Sequence, residues 1–319
     1  MGGLTKVEAV LTLRDTRKRR TESTKLGERV EVLFPPGFEL AGGQYVILVH
    51  GFNVSQQAAR TSYACFRWWL DAFGTRLRVL ELHWPGDRKW GRVSDPSCYP
   101  HRIPVADACG VKLARWIEES DRDARFVLVG HSLGCRLVVS AINELRAFGH
   151  LRKIATVCLM AAAVPARHVA RGLFGPQKGE AVRWRILYSR GDSVLRIWYT
   201  FGQIAGVDGV FSEAVGLHGE PHTRWIASGD ANPVYQPTRF YDHSDYWRGG
   251  PSDGARTADV YTTDAFLGDI PRHRDNLGAS AEYVAEMLGA ATARKLPLRL
   301  LAPPQSLPER ILHRLRPKS

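Results

Sequence analysis

The sequence lacks an apolar run of the length that a membrane-spanning helix needs, about 20 residues. Its most apolar stretch, Ile154–Val164, is much shorter than that. The N-terminal segment also has no apolar stretch of signal-peptide length before the basic run at Arg14–Arg20. We therefore predict a protein that is made without a secretory signal and is located in the cytoplasm.

Sequence signals for disulfides, metals and nucleotides are missing as well. The five cysteines are odd in number, and their spacing fits neither a zinc site nor a redox CxxC pair. We expect them to be reduced and mostly buried. The chain contains no GxxxxGK[ST] phosphate loop and no HExxH zinc helix. The sequence therefore predicts no cofactor and no metal.

The charge of the chain is unbalanced, with 44 basic and 32 acidic residues and a net charge of +12. Only Arg14–Arg20 and Arg310–Lys318 concentrate it, and neither has the interleaved aromatics on which single-stranded nucleic acids stack. We expect no specific nucleic-acid partner. A weak association with an anionic surface stays open, and the sequence does not indicate an oligomeric state.

Short apolar runs alternate with helical patterns, which predicts an α/β fold with a mostly parallel sheet and helices on both faces. Before these runs, two alternating segments flank a charged loop and predict an N-terminal antiparallel strand pair. The pair is Val7–Leu13 and Glu28–Phe34; the central strands are Tyr45–His50, Val79–Trp84, Phe126–Val129, Thr156–Met160 and Val182–Tyr188; the helices are Gln56–Phe73, Val105–Glu118 with Pro104 at its start, Leu133–Phe148 and Asn276–Arg294.

The chain of 319 residues is 44% hydrophobic, which is enough for one large core. We predict a single domain over residues 1–300, followed by a basic, proline-containing tail over 301–319. Residues 195–241 are irregular and rich in glycine. Because long loops inside compact domains are usually functional, we expect an insertion or lid-like region there.

The strongest chemical signal is the GxSxG motif Gly130–Gly134, which follows an apolar strand and opens a helix. In this context the serine lies on a sharp turn that lifts its hydroxyl above the edge of the sheet. The turn also places the hydroxyl at a helix N-terminus, which favours developing negative charge. Ser132 is therefore the predicted nucleophile.

A second signal is the run His50-Gly51-Phe52-Asn53 at the end of an earlier apolar strand. A serine hydrolase stabilises its oxyanion with two backbone N–H groups, one after the nucleophile and one from such a loop. These would be the N–H groups of Leu133 and Phe52. The absence of a side chain at Gly51 would let the backbone approach the substrate.

The remaining catalytic groups should follow the serine along the chain. Asp192 ends a later strand and is the predicted acid, which would orient the base. His243 lies after an extended stretch and before the last predicted helix, and is the predicted base. His222 and His273 are the alternatives for the base.

This order of residues resembles the α/β-hydrolase superfamily, and more closely a group of bacterial serine esterase- or lipase-like hydrolases. The resemblance is carried by HGFN at His50–Asn53, a Trp-Pro-Gly turn at Trp84–Gly86, GHSLG at Gly130–Gly134, Asp192, and a final His-Ser with a following aromatic at His243–Tyr246. It implies an α/β-hydrolase fold and a Ser-His-Asp triad. Residues expected to contact the substrate are His50, Gly51, Asn53, Trp84, His131 and Trp198.

The expected activity is hydrolysis of a small-molecule carboxylic ester through an acyl-enzyme. The aromatic-rich segment Ile197–Phe211 suggests a wall for apolar acyl groups. The same triad would serve a thioesterase, an amidase or an acyltransferase. A non-catalytic interaction protein on a hydrolase fold is the alternative from another class.

Overall fold

The structure is a computed structural model that describes residues 5–16, 23–72, 77–87, 98–166, 181–199, 213–219, 234–235 and 242–247, together with Ala281 and Val284. Within this part of the chain, eight strands form one sheet. The strands are β1 (Val7–Arg14), β2 (Leu26–Phe34), β3 (Gly43–Val49), β4 (Arg78–His83), β5 (Ala124–His131), β6 (Ile154–Met160), β7 (Arg183–Leu187) and β8 (Val234–Tyr235).

The strand order is β2-β1-β4-β3-β5-β6-β7-β8. Only the β1–β2 pair is antiparallel, and every other pair is parallel. The predicted mostly parallel sheet with an N-terminal antiparallel pair is confirmed. Because the strands β3 to β7 all run in one direction, the turns that follow them emerge at the same edge of the sheet.

Helices cover both faces of this sheet: α1 (Gln56–Ala72), α2 (Tyr99–Glu119) and α3 (Leu133–Ala147), with a short fourth helix, α4 (Val215–His218). Successive side chains of a strand point to opposite faces. In β3, Ile47 packs with the residues of α2 and α3, whereas Leu48 packs with those of α1. Both faces of the central strands are therefore core, which explains why these strands are continuous apolar runs.

An ion pair between buried Arg136 and half-buried Asp107 fixes α3, the helix that begins beside the candidate nucleophile, against α2. Arg136 donates two hydrogen bonds to the Asp107 carboxylate, at 2.9 and 2.8 Å. Ser140 Oγ donates a third to the same carboxylate at 2.7 Å. The two-point geometry of a guanidinium with a carboxylate restricts rotation as well as distance, so the contact sets the register of α3 on α2.

The predicted start of α2 is wrong. The helix begins at Tyr99 rather than Val105, and Pro104 lies inside it. Pro100 occupies the first turn, where a missing N–H costs no helical hydrogen bond. Pro104 removes one bond in the second turn, and the helix continues because its inward face is buried at Ile103 and Ala106.

Part of the predicted insertion over 195–241 packs on the sheet. A π-helical segment, Val194–Tyr199, follows the β7 turn, and β8 extends the sheet beside β7. Ala281 and Val284, from the predicted last helix, are helical and buried. The domain boundary at 300, the tail and the remainder of this region lie outside the described residues.

None of the described helices combines the length and the apolarity that crossing a membrane requires.

Candidate active site

Ser132 lies on a strained turn between β5 and α3. Its backbone has φ 53° and ψ −125°, a positive-φ conformation that residues other than glycine rarely adopt. Its N–H donates to Met160 O at 2.9 Å, and its carbonyl accepts the N–H of Ala163 at 3.2 Å. Backbone contacts with the end of β6 therefore hold the strained residue in place.

Two glycines allow the backbone to pack closely around this turn. A Cβ on Gly134 would lie 2.3 Å from His50 O, so α3 starts directly against the turn that follows β3. A Cβ on Gly51 would lie 2.8 Å from the Cβ of Ser132. The HGFN turn and the serine are thus neighbours because neither glycine carries a side chain.

Ser132, His243 and Asp192 form a continuous hydrogen-bonded chain. The Oγ of Ser132 lies 2.8 Å from Nε2 of His243, and Nδ1 of His243 lies 2.8 Å from Oδ2 of Asp192. The other carboxylate oxygen of Asp192 accepts the N–H of Leu195 at 2.8 Å. With Nδ1 donating to the carboxylate, Nε2 is left to accept the serine proton, which is the arrangement that general-base catalysis requires.

Burial and neighbouring charges shift the pKa values of His243 and Asp192 in opposite directions. Burial disfavours the charged imidazole of His243, but the charges of Asp192, Asp242 and Asp245 outweigh it and raise the pKa of His243 above 6.5. Asp192 is fully buried, and this burial raises the pKa of its carboxyl, although the contact with His243 opposes the rise. The site therefore favours an imidazolium beside a carboxylate when a proton leaves the serine.

His131, within the GxSxG motif, holds the histidine segment. Its Nε2 donates to the backbone O of His243 at 2.6 Å, and the two rings lie 4.9 Å apart. Burial, followed by the nearby charge of His243, lowers the pKa of His131 well below its usual value. His131 is therefore neutral at physiological pH and supports the triad without adding charge.

His50 and Trp84, both predicted to contact the substrate, are buried at 1% and 0% exposure. The Nδ1 of His50 donates to Gly51 O at 2.9 Å, and its Nε2 accepts the N–H of Trp84 at 3.3 Å. The indole N–H of Trp84 donates to His50 O at 2.7 Å. This is a correction: with their polar atoms turned inward, these residues support the HGFN turn rather than contacting substrate.

Phe52 and Asn53 of the same turn are less buried than His50. Asn53 is exposed, has a left-handed backbone with φ 58°, and donates its N–H to Gly86 O at 2.9 Å. Phe52 is half-buried and packs edge-on against Tyr99, with ring centroids 5.5 Å apart. Tyr99 in turn contacts Tyr199 at 6.1 Å. An aromatic wall of these three residues, Phe52, Tyr99 and Tyr199, therefore starts beside the nucleophile.

Trp247 was missed by the sequence reasoning, although an aromatic was noted after the His-Ser pair. Its indole packs on Phe66 and Tyr63 of α1, at 5.0 and 5.6 Å between ring centroids. It also lies 5.6 Å from the ring of His131. Trp247 thus anchors the segment that carries His243 onto α1.

The side chain of Trp198, and both alternative bases His222 and His273, lie outside the described residues. Among the residues that the structure describes, no group of three or more His, Cys, Asp or Glu side chains is arranged to hold a metal ion. The cofactor-free mechanism therefore stays a prediction.

The solved structures that resemble this chain include hydrolases of low sequence identity and low TM-score. A serine hydrolase involved in carbazole degradation is 15% identical, with a TM-score of 0.28, over 55% of this chain and 83% of its own. A hydrolase of the α/β superfamily from Xanthomonas campestris pv. campestris is 16% identical, with a TM-score of 0.27, over 58% and 94%. A fungal esterase from Rhizomucor miehei is 12% identical, with a TM-score of 0.38, over 80% and 78%.

A comparison with curated proteins gives no match. A family model does match residues 39–246, which include the HGFN turn, the GxSxG turn and His243. This range covers more than half of the chain. The protein therefore belongs to the family described as alpha/beta hydrolase of unknown function (DUF900).

Proposed function

We propose that the protein is a serine hydrolase that cleaves a carboxylic ester through an acyl-enzyme on Ser132. The observation that carries this proposal is the pair of 2.8 Å contacts that join Ser132 Oγ, the His243 ring and the Asp192 carboxylate. A structural serine in a strand-to-helix turn does not need a histidine that is directed at its hydroxyl and paired with a buried carboxylate.

In the first step Nε2 of His243 takes the proton of Ser132 as Oγ attacks the carbonyl carbon. Asp192 holds the ring in the tautomer that leaves Nε2 unprotonated and stabilises the imidazolium that forms. His243 then gives the proton to the leaving alcohol. In the second step the imidazole removes a proton from water as the water oxygen attacks the acyl carbon. The bond to Oγ then breaks, the acid leaves, and His243 returns the proton to Ser132.

The oxyanion would lie at the start of α3. The Leu133 N–H is in the first turn of that helix, where amides have no intrahelical acceptor. The Phe52 N–H follows Gly51, whose backbone approaches the serine closely. Two such donors would each contribute about 3–4 kcal/mol to transition-state stabilisation.

The substrate is an uncharged ester with a short to medium acyl chain. Support comes from the aromatic wall that begins at Phe52 and from the half-buried state of Phe52 and Tyr99. Each CH₂ that such a wall buries would add about 0.8 kcal/mol until the space is full. Specificity should therefore rise with chain length and then fall.

The test compares wild type with Ser132→Ala on a nitrophenyl ester of short chain length. We expect kcat/KM to fall by about 10⁴-fold or more, with residual catalysis from the oxyanion donors. Ser140→Ala is the matched control, because it changes the same residue type on the same helix but removes only a contact with Asp107. Equal turnover by Ser132→Ala and wild type would overturn the proposal.

A series of nitrophenyl esters from acetate to palmitate then tests the substrate class. We expect kcat/KM to peak at a short or medium chain. A steady rise to palmitate would indicate a lipase instead. Turnover of amides or acyl thioesters without turnover of esters would move the protein to an amidase or thioesterase role.

A further inference from the structure

A second link joins the histidine segment to the loop that carries the acid, one residue away from the triad contact on each side. Ser193 directly follows Asp192, and Asp242 directly precedes His243. The Oδ1 of Asp242 accepts the Oγ–H of Ser193 at 2.8 Å and its N–H at 3.2 Å. Two neighbouring residues on one loop thus bind two neighbouring residues on the other.

The backbone of Asp242, the residue that makes this link, is itself held in place. The backbone N–H of Asp242 donates to Oδ2 of Asp245 at 2.8 Å, which closes a tight turn around the histidine. Ser193 is buried at 3% exposure, and Asp242 is half-buried. Charge-assisted hydrogen bonds are stronger than neutral ones, and more so where water is excluded.

We propose that Asp242 is a positioning residue, which ties His243 through Ser193 to the Asp192 loop and so keeps Nε2 in line with the serine hydroxyl. The reason is geometric. A single contact between Nδ1 and the Asp192 carboxylate still lets the imidazole rotate about that contact. A second contact, made by the adjacent residue, fixes the backbone from which the ring projects. The inference rests on the proposed serine-hydrolase function.

Asp242 also acts on the ring through its charge. The ionisable groups that surround His243 are Asp192 from the β7 loop, Asp242 and Asp245 from its own turn, and His131 from the nucleophile turn. The three carboxylates raise the pKa of His243, with Asp192 acting most strongly. Removing the charge of Asp242 should therefore lower that pKa, while removing only the Ser193 hydroxyl should not.

The experiment separates the hydrogen bond from the charge. Asp242→Ala loses both, Asp242→Asn keeps an acceptor oxygen but no charge, and Ser193→Ala keeps the charge but loses the 2.8 Å bond. Ser244→Ala, in the same turn, is the control and should leave kcat within twofold of wild type. The readouts are kcat and KM on a nitrophenyl ester, the pH profile, and the NMR titration of the His243 ring in the full-length protein.

For Asp242→Ala we expect kcat to fall by about 10- to 100-fold with little change in KM, since a displacement of about 1 Å can cost that much. Asp242→Asn should have a kcat close to that of wild type, and the midpoint of the acidic limb of its pH profile should lie at a lower pH. Ser193→Ala should have a reduced kcat with the midpoint of that limb unchanged. The double variant Ser193→Ala/Asp242→Ala should be no slower than Asp242→Ala alone, because the two residues act through one contact.

Three results would overturn the inference: a kcat of Asp242→Ala within twofold of wild type, a loss in Asp242→Asn as large as in Asp242→Ala, or losses that multiply in the double variant. If Asp242→Ala does not fold, Asp242→Asn and Ser193→Ala still decide the matter. The NMR titration needs no substrate. The two proposals can therefore fail separately. If the protein turns over no ester, the proposed function is wrong. If the pKa of His243 still drops in Asp242→Asn, the contact of Asp242 with the histidine segment stands.

Discussion

Ser132 and His243 meet at 2.8 Å, but they are held by different kinds of contact. The serine is fixed by backbone hydrogen bonds to Met160 and Ala163 and by close packing of glycine backbones. The histidine is fixed mainly by side chains that come from distant parts of the chain. The proposed nucleophile is thus held by the backbone of the sheet, whereas the proposed base is attached to the sheet by side chains. Substitutions around the base should therefore reduce activity more readily than they reduce stability.

The largest effect among substitutions around the base should come from Asp192→Asn, which keeps the shape of the side chain but changes its hydrogen bonding. An amide can donate to Nδ1 and so favour the wrong imidazole tautomer. We expect kcat to fall by about 10⁴-fold. Asp123→Asn is the control, because its side chain is 78% exposed at the opposite edge of the sheet. Comparable kcat values for the two variants would show that Asp192 does not orient the base.

A smaller effect is expected on the nucleophile side from Gly51→Ala. The new Cβ would lie 2.8 Å from the Cβ of Ser132, so the turn or the serine must move. We expect kcat/KM to fall by about 100-fold. A Cβ on Gly42 meets only the side chains of Asp123, at 3.3 Å, and Asp121, at 3.9 Å, so Gly42→Ala should keep wild-type kcat/KM. An unchanged kcat/KM in Gly51→Ala would contradict the close approach.

Trp247→Ala should weaken the attachment of the histidine segment to α1. Trp247 is 5% exposed and packs edge-on against Phe66 and Tyr63, and its loss leaves a cavity there. We expect kcat to fall by about tenfold, with part of it regained in Trp247→Phe. Trp116→Ala removes an indole that packs on Phe126 in the other layer, and should lower Tm without changing kcat. A Trp247→Ala variant that loses Tm but no kcat would argue against an anchoring role.

The smallest effect is a shift in pH dependence. A protonated His243 cannot accept the serine proton, so activity is present above its pKa and is lost as the pH falls through it. Because the surrounding carboxylates raise this pKa, the midpoint of the acidic limb should lie above 6.5. The measurement is kcat/KM between about pH 5 and 9, which reports the free enzyme. A midpoint below 6.5 would show that burial outweighs the carboxylates.

The same difference between the two sides of the site explains which features could be predicted from the sequence. The parallel sheet and the serine turn were predictable because continuous apolar runs and the GxSxG glycines are local signals. His50 and Trp84 were misassigned because a histidine beside a catalytic turn looks alike in sequence whether its ring faces substrate or core. The contacts of Asp242 with Ser193 and of Trp247 with α1 join segments far apart in the chain. No local pattern could have predicted these pairings.

The central claim is that Ser132 is an activated nucleophile, and covalent labelling tests it most directly. The full-length protein is treated with a fluorophosphonate probe and digested, and the modified residue is identified by mass spectrometry. The account predicts one modified serine, Ser132, with normal labelling in Ser140→Ala and much slower labelling in His243→Ala. Modification of a different serine, or ester hydrolysis by a Ser132→Ala protein that no probe labels, would contradict it.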